Sequence, residues 1–157
     1  KAVDLGCGAG RNVGELLKKY PEAHVTGIDY SDLSVEKAAE YNRDSAAAGR
    51  CCIQQGDVSE LSLPAGAFDL ATAFETVYFW PDIEKCFGEV KRVLKPGGTF
   101  LIGMESNGSD NLIMRFWKKF IDMELYTDEE ISSFLRNNNY SEITAYIRDG
   151  RKKQEII

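Results

Sequence analysis

The sequence predicts an α/β fold, a mostly parallel sheet with helices on both faces. Three observations predict it. Strand-like apolar runs alternate with segments of helical period five times along the 157 residues. The run Phe68 to Phe74 is almost wholly apolar, as expected of a parallel strand covered on both faces. The first strand-like run, Ala2-Val3-Asp4-Leu5, passes directly into Gly6-Cys7-Gly8-Ala9-Gly10 and then into a helix. Such a turn lets backbone press closely on a ligand, because glycine has no side chain and tolerates positive φ. The helix start adds unpaired N–H groups and partial positive charge.

Each element follows from local pattern. Asn12 to Tyr20 places Val13, Leu16, Leu17 and Tyr20 on one helical face. Pro21-Glu22 breaks it, and His24 to Asp29 reads as the second strand. Leu33 to Arg43 is a second amphipathic helix trailing into a soft Ser45–Gly49 stretch, and Cys52 to Asp57 is a third strand closed by Gly-Asp. After a loop at Leu63–Gly66 the fourth strand, Phe68 to Phe74, runs into Glu75-Thr76-Val77-Tyr78-Phe79-Trp80-Pro81. Asp82 can cap a helix with Ile83, Phe87, Val90 and Leu94 inward, stopped by Lys95-Pro96-Gly97-Gly98. Thr99 to Met104 is a fifth strand and Glu105 to Asp110 a polar loop. A helix carrying Leu112, Ile113, Phe116, Trp117 and Phe120 comes next. Thr127-Asp128-Glu129-Glu130 is a capping box opening a last helix with Ile131, Phe134 and Leu135 inward. Tyr140 to Ile147 and Gln154 to Ile157 read as a final strand pair joined through Asp149-Gly150.

Composition sets the class. Hydrophobic residues make up 43% and charged residues 28%, ordinary for one globular domain spanning 1–157. A formal net charge of -6 argues against a nucleic-acid-binding surface. No apolar run approaches membrane-spanning length, and the N-terminus is no signal peptide. Cys7, Cys51, Cys52 and Cys86 lack metal-ligand spacing, so no metal is expected, and reduced thiols in a cytoplasmic protein fit them better than a disulfide framework. The chain opens inside its first strand and stops at the start of another, so it reads as trimmed at both ends.

Function is read from the strand ends. Position 11 is Arg, so the glycine turn is G-x-G-x-G rather than the dinucleotide fingerprint G-x-G-x-x-G, and no Gly-Lys-Ser/Thr phosphate loop is present. Asp29 falls about twenty residues past the turn, where such folds place a carboxylate for a ribose diol. The alternative is that Asp29 caps the next helix, in competition with Ser31 and Asp32. Tyr30 can lie along an adenine face. Asp57 can accept from an adenine amino group while the Val58 N–H meets a ring nitrogen; a plain Asp turn is the alternative. Glu75 and the aromatics behind it sit where an open α/β sheet puts its ligand crevice. His24 lies at the opposite end of its strand and has no catalytic role.

Val3-Asp4-Leu5-Gly6-Cys7-Gly8-Ala9-Gly10 and Arg92-Val93-Leu94-Lys95-Pro96-Gly97-Gly98-Thr99-Phe100-Leu101 resemble the first motif and a later structural motif of the class I S-adenosylmethionine-dependent methyltransferases of the small-molecule type. The resemblance runs from Val3 to about Ile147. It implies a Rossmann-like sheet of seven strands in the order 3-2-1-4-5-7-6, one of them antiparallel, with cofactor across the carboxyl ends of the first, second and fourth. It also implies that an N-terminal covering segment is missing. Asp4, Gly6, Cys7, Gly8 and Gly10 would hold the methionine part of S-adenosylmethionine, and Asp29 the ribose hydroxyls. Tyr30 and Val58 would flank the adenine, Asp57 would read its amino group, and Phe74 and Glu75 would line the sulfonium end.

No Asn-Pro-Pro-Tyr or Asp-Pro-Pro-Tyr follows the fourth strand, unlike related enzymes that methylate amino groups of bases or amides. The expected partner is a small-molecule methyl acceptor and the expected product S-adenosylhomocysteine. Tyr78 and Glu75 are the general-base candidates, but no catalytic residue is assigned. A non-catalytic S-adenosylmethionine-binding module and a nicotinamide oxidoreductase are the competing readings. The acceptor and the oligomeric state stay open.

Overall fold

The computed structural model describes residues 1–104, 123–147 and 154–156. Strands β1 (Ala2–Leu5), β2 (Val25–Asp29), β3 (Cys51–Gln55), β4 (Phe68–Phe74) and β5 (Leu94–Met104) pair in parallel in the order β3-β2-β1-β4-β5. Beyond β5 the order continues with β7 (Gln154–Ile156) and then β6 (Ala145–Ile147); β7 is antiparallel to both its neighbours. Helices α1 (Arg11–Lys19), α2 (Asp32–Tyr41), α3 (Arg43–Ala47), α4 (Ile83–Val93) and α5 (Asp128–Asn137) connect them.

Alternation along β1 divides the core. Val3 and Leu5 join a large cluster with Phe87, Val90 and Val93 of α4 and Ile131 and Leu135 of α5. Ala2, on the other face, packs with Val13 and Leu17 of α1 and Ala38 of α2. Since side chains alternate across a strand, the same four residues serve both faces of the sheet. β1 is buried throughout and lies between β2 and β4 in the sheet.

Cap chemistry sets the helix ends. Ser31 Oγ accepts from the Ser34 N–H at the start of α2, Asp82 Oδ1 from the Lys85 N–H at α4, and Thr127 Oγ1 from the Glu130 N–H at α5. At α5 the Glu130 carboxylate returns the bond to the Thr127 N–H at 2.8 Å, completing the capping box. Asn139, at φ 59°, then closes α5 in the left-handed region.

Most boundaries fall within a residue of the sequence expectation, and the larger differences have physical causes. The predicted second helix divides at Asn42, whose amide donates to Gly10 O and Ala38 O at 2.9 and 3.0 Å; the alanine-rich stretch after it, a good helix former, is α3. β3 ends at Gln55, and the Gly56 N–H still donates to Asp29 O of β2 at 3.0 Å. β5 begins at Leu94 instead of Thr99: Phe68 pairs with Leu94 and Leu70 with Thr99, so Lys95–Gly98 bulge out of the ladder without ending it. β6 is confined to Ala145–Ile147. The apolar helix around Phe116 and the Asp149-Gly150 hairpin lie outside the described residues.

Candidate functional site

The glycine turn does three different things with three left-handed residues. Gly6, Gly8 and Gly10 have φ of 70°, 52° and 80°. A Cβ on Gly6 would stand 2.0 Å from Thr76 Oγ1, so glycine lets the end of β1 meet the segment leaving β4. A Cβ on Gly10 would stand 2.8 Å from Ala38 Cα, and Gly10 O accepts from Asn42; this glycine seats α1 on α2 and lies off the crevice described below. Gly8 faces open space. The Gly6 and Cys7 N–H groups both donate to Ile28 O, at 2.8 and 2.9 Å, which ties the turn to β2. Cys7 is turned inward over Gly27, and burial, then the Asp4 and Asp29 charges, push its thiol up to about 12. It is a packing residue and a poor nucleophile.

At the carboxyl ends of the parallel strands lies a crevice of about 640 Å³. Gly6, Asp29, Tyr30, Asp57, Val58 and Glu75, all anticipated from the sequence, line it together. Asp4, Cys7, Gly8, Gly10 and Phe74 are not among its lining residues. Phe74 lies against β5, where a Cβ on its partner Gly103 would come within 2.4 Å of the ring.

Three carboxylates reach the crevice from three successive strand ends. Asp29 is 7% exposed; Oδ2 accepts from the Gly8 N–H at 2.8 Å and Oδ1 from the Ser31 N–H at 3.0 Å. Ser31, not Asp29, caps α2, so Asp29 braces the glycine turn with its remaining lone pairs uncommitted. Asp57 Oδ1 accepts from the Ser59 N–H at 2.7 Å and opens a 3₁₀ turn at Val58–Glu60. Glu75 holds φ at 55°, a conformation that costs a residue with a Cβ about 1–3 kcal/mol. Its N–H donates to Gly103 O at 2.9 Å and its Oε2 accepts from the Tyr78 hydroxyl at 3.3 Å. Tyr30 stands 77% exposed at the mouth.

Asp4 lies beneath this arrangement. It is paired in register with Thr72, whose hydroxyl donates to its Oδ1 at 2.7 Å. Oδ2 is buried and has no hydrogen-bond partner among the described residues. Burial pushes the carboxyl up to about 7 against the Thr72 bond, and the Asp29 charge adds to the rise. A buried acceptor without a donor, below a crevice whose described lining holds acids and no Lys, Arg or His, suits a cationic ligand bearing N–H and hydroxyl donors. S-Adenosylmethionine, with its ammonium, sulfonium and ribose diol, fits these residues.

Sequence reasoning missed Thr76 and Ser34 as lining residues. Thr76 supports both walls, since its Oγ1 meets Gly6 and accepts from Trp80 Nε1 at 3.3 Å. That contact joins positions 70 residues apart and leaves no local signal. A second open cavity, of about 530 Å³, shares Phe79, Trp80 and Pro81 with the crevice and continues to Met123, Tyr126 and Phe134.

Known proteins share both the motifs and the fold. Residues 3–102 match the methyltransferase domain family model. Sterol 24-C-methyltransferase erg-4 of Neurospora crassa is 37% identical over 100 residues, which are 64% of this chain and 26% of that protein. The chain thus spans about a quarter of the length of the curated relatives it matches. Haemonchus contortus phosphoethanolamine N-methyltransferase 2, solved with S-adenosyl-L-methionine, superposes with a TM-score of 0.83 at 22% identity, over 93% of this chain and 34% of that one. A putative sarcosine dimethylglycine methyltransferase from Galdieria sulphuraria gives 0.82 at 21%, over 94% and 56%. At these identities the two structures establish the fold, and the family match carries the assignment. The chain belongs to the methyltransferase domain family of class I S-adenosylmethionine-dependent enzymes.

Proposed function

We propose that this domain binds S-adenosylmethionine in the carboxyl-end crevice and transfers its methyl group to a small-molecule acceptor. The observation that carries the reading is the convergence of Asp29, Asp57 and Glu75, from the ends of β2, β3 and β4, around the glycine turn. Asp29 takes the ribose hydroxyls with the lone pairs left over from Gly8 and Ser31. Tyr30 and Val58 enclose the adenine, and Asp57 accepts from its amino group. Gly6 and Gly8 give the methionine part room; Cys7 and Gly10 shape that turn from behind. Asp4 Oδ2 accepts from the ammonium, and Glu75 bounds the sulfonium end, while Phe74, packed against β5, supports the strand end that carries it.

When bound, the cofactor supplies an electrophilic methyl group, so the protein's work is orientation and exclusion of water. Phe79, Trp80 and Pro81, common to both cavities, are the wall along which an acceptor meets the cofactor. The Glu75 carboxylate and Tyr78 hydroxyl are the pair placed to take a proton from an acceptor that must lose one. We take residues 1–157, with the seven-stranded sheet and its one antiparallel strand, as a single cofactor-binding domain. The free cysteines Cys7, Cys51, Cys52 and Cys86 support a reducing, cytoplasmic setting. No described helix is long and apolar enough to cross a membrane.

The test is transfer of a radiolabelled methyl group from S-adenosylmethionine to a panel of alkenes, amines, phenols and thiols, with separation of small and large products. Label in a small molecule, lost with Glu75→Ala, is expected. Label found only in macromolecules, or cofactor that binds without any transfer, contradicts the proposal.

A further inference from the structure

Helix α4 reaches across to the turn that carries Asp57 and Val58. Glu89 and Arg92 lie one helical turn apart and form a two-pronged pair, Arg92 Nε to Glu89 Oε1 at 2.7 Å and Nη2 to Oε2 at 2.8 Å. The pair does not stop at itself. Glu89 Oε2 accepts from the Leu61 N–H at 2.8 Å, Arg92 Nη2 donates to Leu61 O at 2.7 Å, and Arg92 Nη1 donates to Leu63 O at 2.8 Å. Both backbone groups of Leu61 are therefore held by one ion pair.

Leu61 is the residue that closes the Val58–Glu60 turn. The turn is pinned at its start by Asp57 Oδ1 on the Ser59 N–H, and at its end by Glu89 and Arg92. Nothing in the sheet ladder does this work, because β3 ends at Gln55 and is an edge strand. An isolated surface ion pair contributes little. This one makes five charge-assisted bonds at 2.7–2.8 Å, two within the pair and three to backbone, and the Arg92 and Glu89 side chains are 37% and 21% exposed. Its anchor is firm: Phe87, Val90 and Val93 of the same helix are fully buried.

We propose that Glu89 and Arg92 are positioning residues for base recognition: they hold the Asp57–Val58 edge of the crevice at the register that selects adenine. The proposal rests on the reading that Asp57 and Val58 meet the adenine. A hydrogen-bonding group moved by a fraction of an ångström loses its bond while the rest of the ligand still binds. The predicted signature is therefore a loss of discrimination between bases.

The experiment is calorimetric titration of the chain with S-adenosylhomocysteine and with S-inosylhomocysteine, which carries an oxo group in place of the adenine amino group. The natural protein is expected to favour the adenine form by about tenfold or more, the range for one well-placed hydrogen bond to a charged acceptor. Arg92→Ala, and the milder Glu89→Gln, are expected to shrink that ratio at least threefold, and Arg92→Lys to restore it only in part. Variants that weaken both ligands equally, with lowered thermal stability and an unchanged ratio, would make the pair merely structural and overturn the proposal. So would an unchanged ratio with unchanged affinity. Asp57→Asn serves as the reference: it turns the acceptor into a group that can donate to the inosine oxo group and should reverse the preference. An unchanged ratio there would refute the reading of Asp57 itself, and the proposal with it. A reversed ratio at Asp57 with an unchanged ratio at Arg92 and Glu89 would refute the positioning role alone.

Discussion

Replacement of Gly6 by alanine is expected to cost the fold about 2–4 kcal/mol, from a left-handed φ forced on a residue with a Cβ plus overpacking. The new Cβ would fall 2.0 Å from Thr76 Oγ1, and Thr76 cannot simply rotate away without releasing the Trp80 indole. Binding of S-adenosylhomocysteine should fall by more than tenfold, since the collision sits where β1 meets the far wall of the crevice. Gly8→Ala is the control. Gly8 has a similar positive φ, but nothing lies within 4 Å of its Cβ position. It should therefore cost only about 1–2 kcal/mol. Denaturant midpoints of the two variants check this, and equal costs would contradict the role given to the Gly6–Thr76 contact.

The second large effect is a pH dependence set by Asp4. Its carboxyl ordinarily titrates near 3.8 and is pushed up to about 7 in the folded protein by burial. Below about pH 4 both folded and unfolded chains hold the proton, and Asp4 contributes nothing to the pH dependence. Between about 4 and 7 the unfolded chain has released its proton while the folded one keeps it, so stability falls as pH rises. Above 7 the folded chain carries a buried charge, and the full penalty is present. Three pKa units amount to roughly 4 kcal/mol at most. Asp4→Asn should abolish this component, making the ligand-free protein more stable at pH 8 than the natural chain while weakening S-adenosylhomocysteine. Thermal melts from pH 5 to pH 8 read the slope. A slope that Asp4→Asn leaves intact would contradict the burial of the Asp4 carboxyl, with Thr72 on one oxygen only, as the source of the pH dependence.

The sequence made visible whatever depends on neighbours along the chain. The apolar run Phe68–Phe74 is β4 to the residue, and the Thr127–Glu130 capping box and the Asp82 cap both form. Strand ends could also be read, because turn chemistry marks them; that is why Asp29, Asp57 and Glu75 could be named before their convergence was seen. Long-range packing stayed hidden. Gly10 looks like its neighbours in the motif, yet its missing side chain makes room for α2 rather than a ligand. The Lys95–Gly98 passage carries every local sign of a helix stop followed by a turn. It nevertheless remains inside β5, because the pairing with β4 resumes four residues later. Glu75 gives no hint of its left-handed backbone, which is imposed by the Gly103 carbonyl and the chain reversal after β4.

The most direct measurement is calorimetric titration of the full chain with S-adenosylhomocysteine, run beside Asp29→Ala and with NADH as a control. Saturable binding of one molecule per chain is expected, weakened at least tenfold by Asp29→Ala through loss of the ribose bonds and of the brace on Gly8, with no heat from NADH. Equal affinity in the natural and Asp29→Ala proteins, or binding of NADH in place of S-adenosylhomocysteine, would contradict the assignment of this crevice to S-adenosylmethionine.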